Sequence, residues 1–272
     1  MTLQTLRLSD GQQISYLELG QGEPLVLLHG VGMCAEAWGP QIAHFAKTNR
    51  VIALDMPGHG LSDLLPGQPD LKDYVAWAAK TLRQLGCSFV NVAGHSMGAL
   101  IAAGLAVDHP DLVLRLAVLN GVYRRTPEAR AAVQARAAAL ANGANDIDVP
   151  LTRWFGDTAA DQALRAQVAG WLRMVKLQGY AAAYRAFANG DMDYAEAWPK
   201  IHSPALVLTA SGDANSTPAM AKAMAMAAPM GQAVVIEGHR HMVNLTAPAQ
   251  VNAALAAWLA VPLLAAKKGI RA

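Results

Sequence analysis

Residues 89–108 contain a single serine, Ser96, set in Gly94-His95-Ser96-Met97-Gly98 where an apolar strand-like run (FVNVA) gives way to an apolar helix-like run (ALIAAGLAVD). A glycine two residues to each side removes the Cβ atoms that would collide in a tight strand-to-helix elbow. Such a turn projects the serine hydroxyl clear of the sheet. A serine so placed is a candidate nucleophile at a helix N-terminus. The N–H of Met97 is then aimed at an oxyanion forming on an attacked carbonyl, in the favourable field of the helix dipole. Read without that chemistry, Gly94 and Gly98 only let a helix pack closely on a strand.

The elements that must carry this elbow are legible as periods. Residues 5–8 and 13–19 alternate apolar and polar around Ser9-Asp10-Gly11, the pattern of an antiparallel pair. Residues 24–29, 50–55, 89–93, 114–120, 205–210 and 233–237 are instead continuous apolar runs, as expected of strands covered on both faces. Helical segments at 36–47, 71–85 and 97–108 lie between them. The alternation predicts an α/β fold with a mostly parallel central sheet and helices on both faces. It breaks once, from about Gly121 to Pro199, where Ala-, Arg- and Gln-rich helical sequence carries spaced aromatics. The expected organisation is a core of residues 1–120 and 200–272 with an inserted helical cap at 121–199.

Bulk composition narrows the function. The 272 residues are 53% hydrophobic and 15% charged, with a formal net charge of +2, which fits neither a disordered chain nor a nucleic-acid footprint. Cys34 and Cys87 are too few for a disulfide framework and read as packing residues in a reducing compartment. The N-terminus lacks the pattern of a signal peptide, and residues 89–107 are too interrupted by Asn91, His95, Ser96 and glycines to span a membrane. The expectation is a cytoplasmic protein with a small-molecule partner, without membrane or nucleic-acid binding, and with homodimerisation left open. The histidines and cysteines show no zinc spacing, and Gly30-Val31-Gly32 lacks the downstream pattern of a dinucleotide site, so no cofactor is expected.

Over residues 12–260 the chain resembles the α/β-hydrolase superfamily. His29-Gly30-Val31-Gly32 followed by Trp38 is similar to that family's oxyanion loop, and Asp55-Met56-Pro57-Gly58-His59-Gly60-Leu61-Ser62 to its D-x-x-G-x-G-x-S turn. The elbow follows in the family's order of nucleophile, acid and histidine. The resemblance implies an acid in ALVLTASGDANSTPAM, where Asp213 stands three residues before Ser216-Thr217-Pro218, with Ala210 in place of the family's usual glycine. Asp108 and Asp111 are alternative acids, placed toward the wrong end of the sheet. It also implies a histidine in Gly238-His239-Arg240-His241, where the register leading to Pro248 selects His241 over His239. His29 is expected to fix the oxyanion loop.

The mechanism so implied has Asp213 orienting His241, His241 taking the proton of Ser96, and Ser96 attacking an acyl carbon. The N–H groups of Met97 and of Val31 or Gly32 would hold the oxyanion. The segments VPLTRWFGD and GYAAAYRAFANGDM are similar to caps of enol-lactone hydrolases. That likeness implies an aromatic wall from Trp154 and Tyr180 and a carboxylate anchor from Arg124, Arg125 or Arg153. The leading reading is a serine hydrolase of small esters or lactones. A carbon–carbon bond hydrolase of ring-fission products is the alternative, although Val31-Gly32-Met33-Cys34 departs from the Ser-Gly-Pro-Gly usual there. A binding protein of the same fold that performs no turnover is the third reading. Side activity as a cofactor-free perhydrolase is compatible with the elbow, whereas serine at that position argues against alkyl displacement of the haloalkane-dehalogenase type.

Overall fold

The computed structural model describes residues 2–263. The segment 264–272, assigned from sequence to the core, lies outside the described residues, as does Met1. Strands β1 (Leu3–Arg7) and β2 (Gln13–Leu19) form the expected hairpin, followed by β3 (Glu23–Leu28), β4 (Asn49–Leu54), β5 (Val90–His95), β6 (Val113–Leu119), β7 (Ala205–Ala210) and β8 (Gly231–Ile236). They make one sheet in the order β1-β2-β4-β3-β5-β6-β7-β8. β1 and β2 run antiparallel to their neighbours, and the pairs from β4 through β8 are parallel.

Helices α1 (Gly39–Phe45), α2 (Leu71–Gln84), α3 (Met97–Asp108), α8 (Pro218–Ala227), α9 (Val243–Thr246) and α10 (Pro248–Leu259) cover the sheet. Between β6 and β7 the chain forms α4 (Pro127–Ala141), α5 (Asp148–Trp154), α6 (Ala159–Met174), α7 (Leu177–Asn189) and two 3-10 turns. Because successive strand side chains point to opposite faces, β3 feeds two cores. Val26 and Leu28 pack with α2, α3 and the helices inserted after β6, while Leu25 and Leu27 pack with Ile42 and Phe45 of α1 and Val251, Leu255 and Trp258 of α10. α3 is apolar on every side, as suits a helix enclosed between the sheet and other helices.

One sequence expectation needs correction. Residues 233–237 predict a strand covered on both faces, yet Gln232 and Ala233 of β8 are exposed because β8 is a sheet edge. Apolar runs alone do not distinguish a central from an edge strand.

Candidate active site

Ser96 sits between β5 and α3 with φ 55° and ψ −114°, a conformation rarely tolerated by a residue with a Cβ. The surrounding backbone imposes it. The Ser96 N–H donates to Leu119 O at 2.9 Å, extending the β5–β6 ladder up to the elbow. A Cβ on Gly94 would lie 2.0 Å from Gly98 O, and one on Gly98 would lie 2.1 Å from Leu28 O. Both glycines are therefore required by close backbone approach, and the elbow exists because they are there.

Asp213 and His241 arrive from the loops that follow β7 and β8. His241 Nδ1–H donates to Asp213 Oδ2 at 2.7 Å, and both side chains are buried. The second carboxylate oxygen accepts the N–H groups of Asn215 (2.8 Å) and Ser216 (3.1 Å), while Asn120 Nδ2 donates to Oδ2 at 2.8 Å. Burial pushes the Asp213 carboxyl up, but the His241 charge and the hydrogen bonds from His241, Asn120 and Asn215 outweigh it and hold the group below its ordinary value. The neighbouring His239 is placed elsewhere, with its Nδ1 at 3.0 Å from Thr246 Oγ1. Asp108 is bonded to the Tyr194 hydroxyl at 2.5 Å, and Asp111 lies beside Arg83.

Three buried histidines form a scaffold around this group. His29 donates from Nδ1 to Gly30 O and accepts the Met56 N–H at Nε2; His59 donates from Nδ1 to Pro57 O and accepts the Gly32 N–H at Nε2, 2.9 Å away. Each ring uses one nitrogen as donor and the other as acceptor, which only the neutral tautomer can do. His95 donates from Nε2 to His241 O at 2.8 Å. Burial drives all three below the ordinary histidine value, to about 4 for His29 and about 3 for His59 and His95. The His59 bond also occupies the Gly32 N–H, which leaves Val31 as the loop's candidate oxyanion donor beside Met97. Burial, followed by the nearby Glu36, pushes the Cys34 thiol far up, so that it is no rival nucleophile.

The inserted helices cover this floor. The Trp154 ring lies 5.7 Å from the His241 ring at 30°, and Tyr180 approaches Gly32. Ser96 is 8% exposed and His241 3%, so the site is closed over. Arg125 is corrected as an anchor: its guanidinium lies 3.3 Å from buried Asp191, donates to Phe187 O and stacks on the Phe187 ring. Its guanidinium is engaged inside the protein on Asp191, a carboxylate it shares with Arg130 at 2.9 Å. Arg124 is paired with Glu196. Arg153 is exposed on the last turn of α5, beside Trp154, and among the described residues it has no ion-pair partner. Sequence reasoning missed Arg136 of α4, which is half-buried, reaches the Tyr180 hydroxyl at 3.5 Å and lies over the Tyr184 ring at 5.5 Å. Burial raises the Tyr184 hydroxyl, and the charges of Arg136, Arg125 and Arg153 oppose that shift. Asn120 was also missed, although a lone asparagine ending an apolar parallel strand is a usable signal. Among the described residues no group of three His, Cys, Asp or Glu side chains is gathered to hold a metal ion, and no helix is long and apolar enough to cross a membrane.

The model of the alpha/beta hydrolase family matches residues 25–254. The chain belongs to that family. It is 54% identical over 259 residues to the (E)-2-((N-methylformamido)methylene)succinate hydrolase of Acinetobacter baylyi, a match covering 95% of this chain and 98% of that one. The enol-lactonase of Burkholderia xenovorans superposes with a TM-score of 0.82 at 25% identity, covering 95% of this chain and 100% of that one. A hydrolase from Pseudomonas aeruginosa gives a TM-score of 0.85 at 23% identity, over 96% of this chain and 99% of that one, and speaks to the fold alone. The chain is thus a hydrolase of α/β-hydrolase fold.

Proposed function

We propose that this hydrolase cleaves a small, open-chain, unsaturated dicarboxylate of the ring-fission type through an acyl-enzyme on Ser96. The observation that carries the substrate class is the 54% identity, over nearly the whole of both chains, to a hydrolase named for (E)-2-((N-methylformamido)methylene)succinate. That compound contains no ester or lactone. The similarity therefore favours the alternative sequence reading, a carbon–carbon bond hydrolase of ring-fission products, over the ester and lactone reading, although the bond in the named compound is a different one. In such a molecule the carbonyl outside the two carboxylates is an N-formyl group, so nucleophilic attack breaks an acyl carbon–nitrogen bond. A carbon–carbon bond is cleaved instead where a ketone occupies that place.

In this reading His241 Nε2 takes the Ser96 proton as Oγ bonds to the acyl carbon, and Asp213 stabilises the imidazolium through the 2.7 Å bond. The oxyanion is held by the N–H groups of Met97 and Val31; one such donor is worth about 3 kcal/mol of barrier. Collapse expels the nitrogen, which receives the proton from His241. Water then attacks the acyl-enzyme, giving up a proton to His241, and the acid leaves as Ser96 is regenerated. The inserted helices act as a cap, with Trp154 and Tyr180 as walls. Arg136 and Arg153 bind the two carboxylates, since a planar guanidinium not already spent on an ion pair suits bidentate recognition.

The test is a rate panel with the N-methylformamido compound, an enol lactone, a p-nitrophenyl ester and a vinylogous diketone, followed by mass spectrometry. The account expects the dicarboxylate to have the highest kcat/KM by at least a hundredfold. A lactone or neutral ester turned over faster would contradict the substrate class while leaving the nucleophile intact.

A further inference from the structure

Arg240 stands between His239 and His241 on the loop after β8, and its side chain leaves that loop altogether. Its Nη1 donates to Thr152 O at 2.9 Å and to Phe155 O at 2.5 Å. These carbonyls lie at the C-terminal end of α5, where the last carbonyls of a helix lack intrahelical partners and a cation meets the negative end of the dipole. Trp154 stands between the two acceptors in sequence, and its ring is the one set 5.7 Å from His241. α5 has only seven residues; its N-terminal end is held by the Asp146 carboxylate, which accepts the Asp148 N–H at 2.9 Å, and its body by buried Leu151, while at its C-terminal end, where Trp154 sits, the free carbonyls are met by Arg240.

The loop end of this bridge is itself fixed. His239 O accepts the Gly212 N–H at 2.9 Å, and His241 O accepts from His95 at 2.8 Å. One guanidinium therefore joins the loop that presents His241 to the C-terminal end of the helix above it.

We infer that Arg240 is a positioning residue that latches α5 to the His241 loop and so sets Trp154, and with it Arg153, over the reacting centre. The inference rests on the proposed reading of Ser96 and His241 as the site. It requires no contact of Arg240 with substrate.

The experiment labels the protein with 5-fluorotryptophan, assigns the Trp154 fluorine resonance with Trp154→Phe, and compares wild type with Arg240→Met and Arg240→Lys. The same four proteins and the Trp154→Phe/Arg240→Met double variant are then reacted with a fluorophosphonate carrying a bulky aromatic group. Arg240→Met should move and broaden the Trp154 resonance alone, raise amide exchange over 148–155 at least tenfold, and slow labelling at subsaturating probe about tenfold through weaker binding, not a slower maximal rate. Arg240→Lys should restore part of each effect. In the Trp154→Phe background, Arg240→Met should slow labelling less than threefold further. An unchanged Trp154 resonance, or a full and additive effect in that background, would overturn the latch. Absence of labelling in wild type would instead count against the serine-hydrolase reading, and the resonance and exchange measurements would still decide the latch.

Discussion

At the scale of single residues, Ser96 owes its position to strain that the surrounding backbone holds in place, at φ 55°. Ser96→Ala removes the hydroxyl but little packing, so turnover is expected to fall by at least a thousandfold with thermal stability unchanged, as steady-state kinetics and calorimetry would show. His241→Ala should lose orders of magnitude in kcat, whereas His239→Ala, which breaks only the contact with Thr246, should lose less than tenfold. The arginines separate in the same way. Arg125→Met leaves buried Asp191 paired with Arg130 and with the N–H of residue 125, but removes the 3.3 Å buried ion pair and the bond to Phe187 O, and is expected to cost about 1 to 3 kcal/mol in urea denaturation with KM nearly unchanged. Arg136→Met should leave stability intact and raise KM for a dicarboxylate about tenfold, the equivalent of about 1.4 kcal/mol. The places of Ser96, Asp213 and His241 after β5, β7 and β8 were legible because the motifs are tied to strand ends, and their catalytic roles are the proposed reading. Arg125 was misjudged because chain proximity to β6 says nothing of whether a cation turns inward to a carboxylate. His95 and Asn120 gave weak signals, since their roles lie in one bond each, to His241 O and to Asp213, formed by residues far away in sequence.

At the scale of elements, the elbow is a packing constraint before it is a catalytic one. Gly98→Ala would drive a Cβ to 2.1 Å from Leu28 O, a backbone atom of a central strand that cannot yield. A loss of 3 kcal/mol or more, or failure to fold, is expected in equilibrium denaturation. Gly170→Ala on α6 meets no atom within 4 Å and should instead be neutral or stabilising by up to about 1 kcal/mol. The strands were readable because β3, β5, β6 and β7 are enclosed on both faces over most of their length and so are largely apolar, with Asn91, Arg115 and Thr209 among the buried polar exceptions. β8 shares that composition but lies at an edge, and strand order is set by crossovers that no single run encodes. The inserted helices were readable as helical, yet which of their faces turn to the site was not, because alanine-rich α4 has no distinct apolar stripe.

At the scale of the whole molecule, the neutral histidine scaffold links stability to pH. His29, His59 and His95 have native values lowered to between about 3 and 4, while in the unfolded chain each titrates near 6.5. Below pH 6.5 the unfolded state therefore binds protons that the native state refuses. Native stability is full above pH 6.5 and is lost as pH falls toward the native values, by about 1 kcal/mol per histidine per pH unit. Denaturation midpoints at pH 7, 6 and 5 should fall progressively, and a fold equally stable at pH 5 and 7 would show that these rings are not held neutral. Asp213, held below its ordinary value, adds to the same trend only at lower pH, near and below the carboxylate range. The central claim is that this scaffold presents Ser96 as a nucleophile activated by His241. Its most direct measurement is intact-mass and peptide mapping of the protein treated with a fluorophosphonate. The account expects one adduct per chain, located on Ser96, absent in Ser96→Ala and slowed at least a hundredfold in His241→Ala. No adduct, or an adduct on another residue formed equally fast without His241, would contradict it.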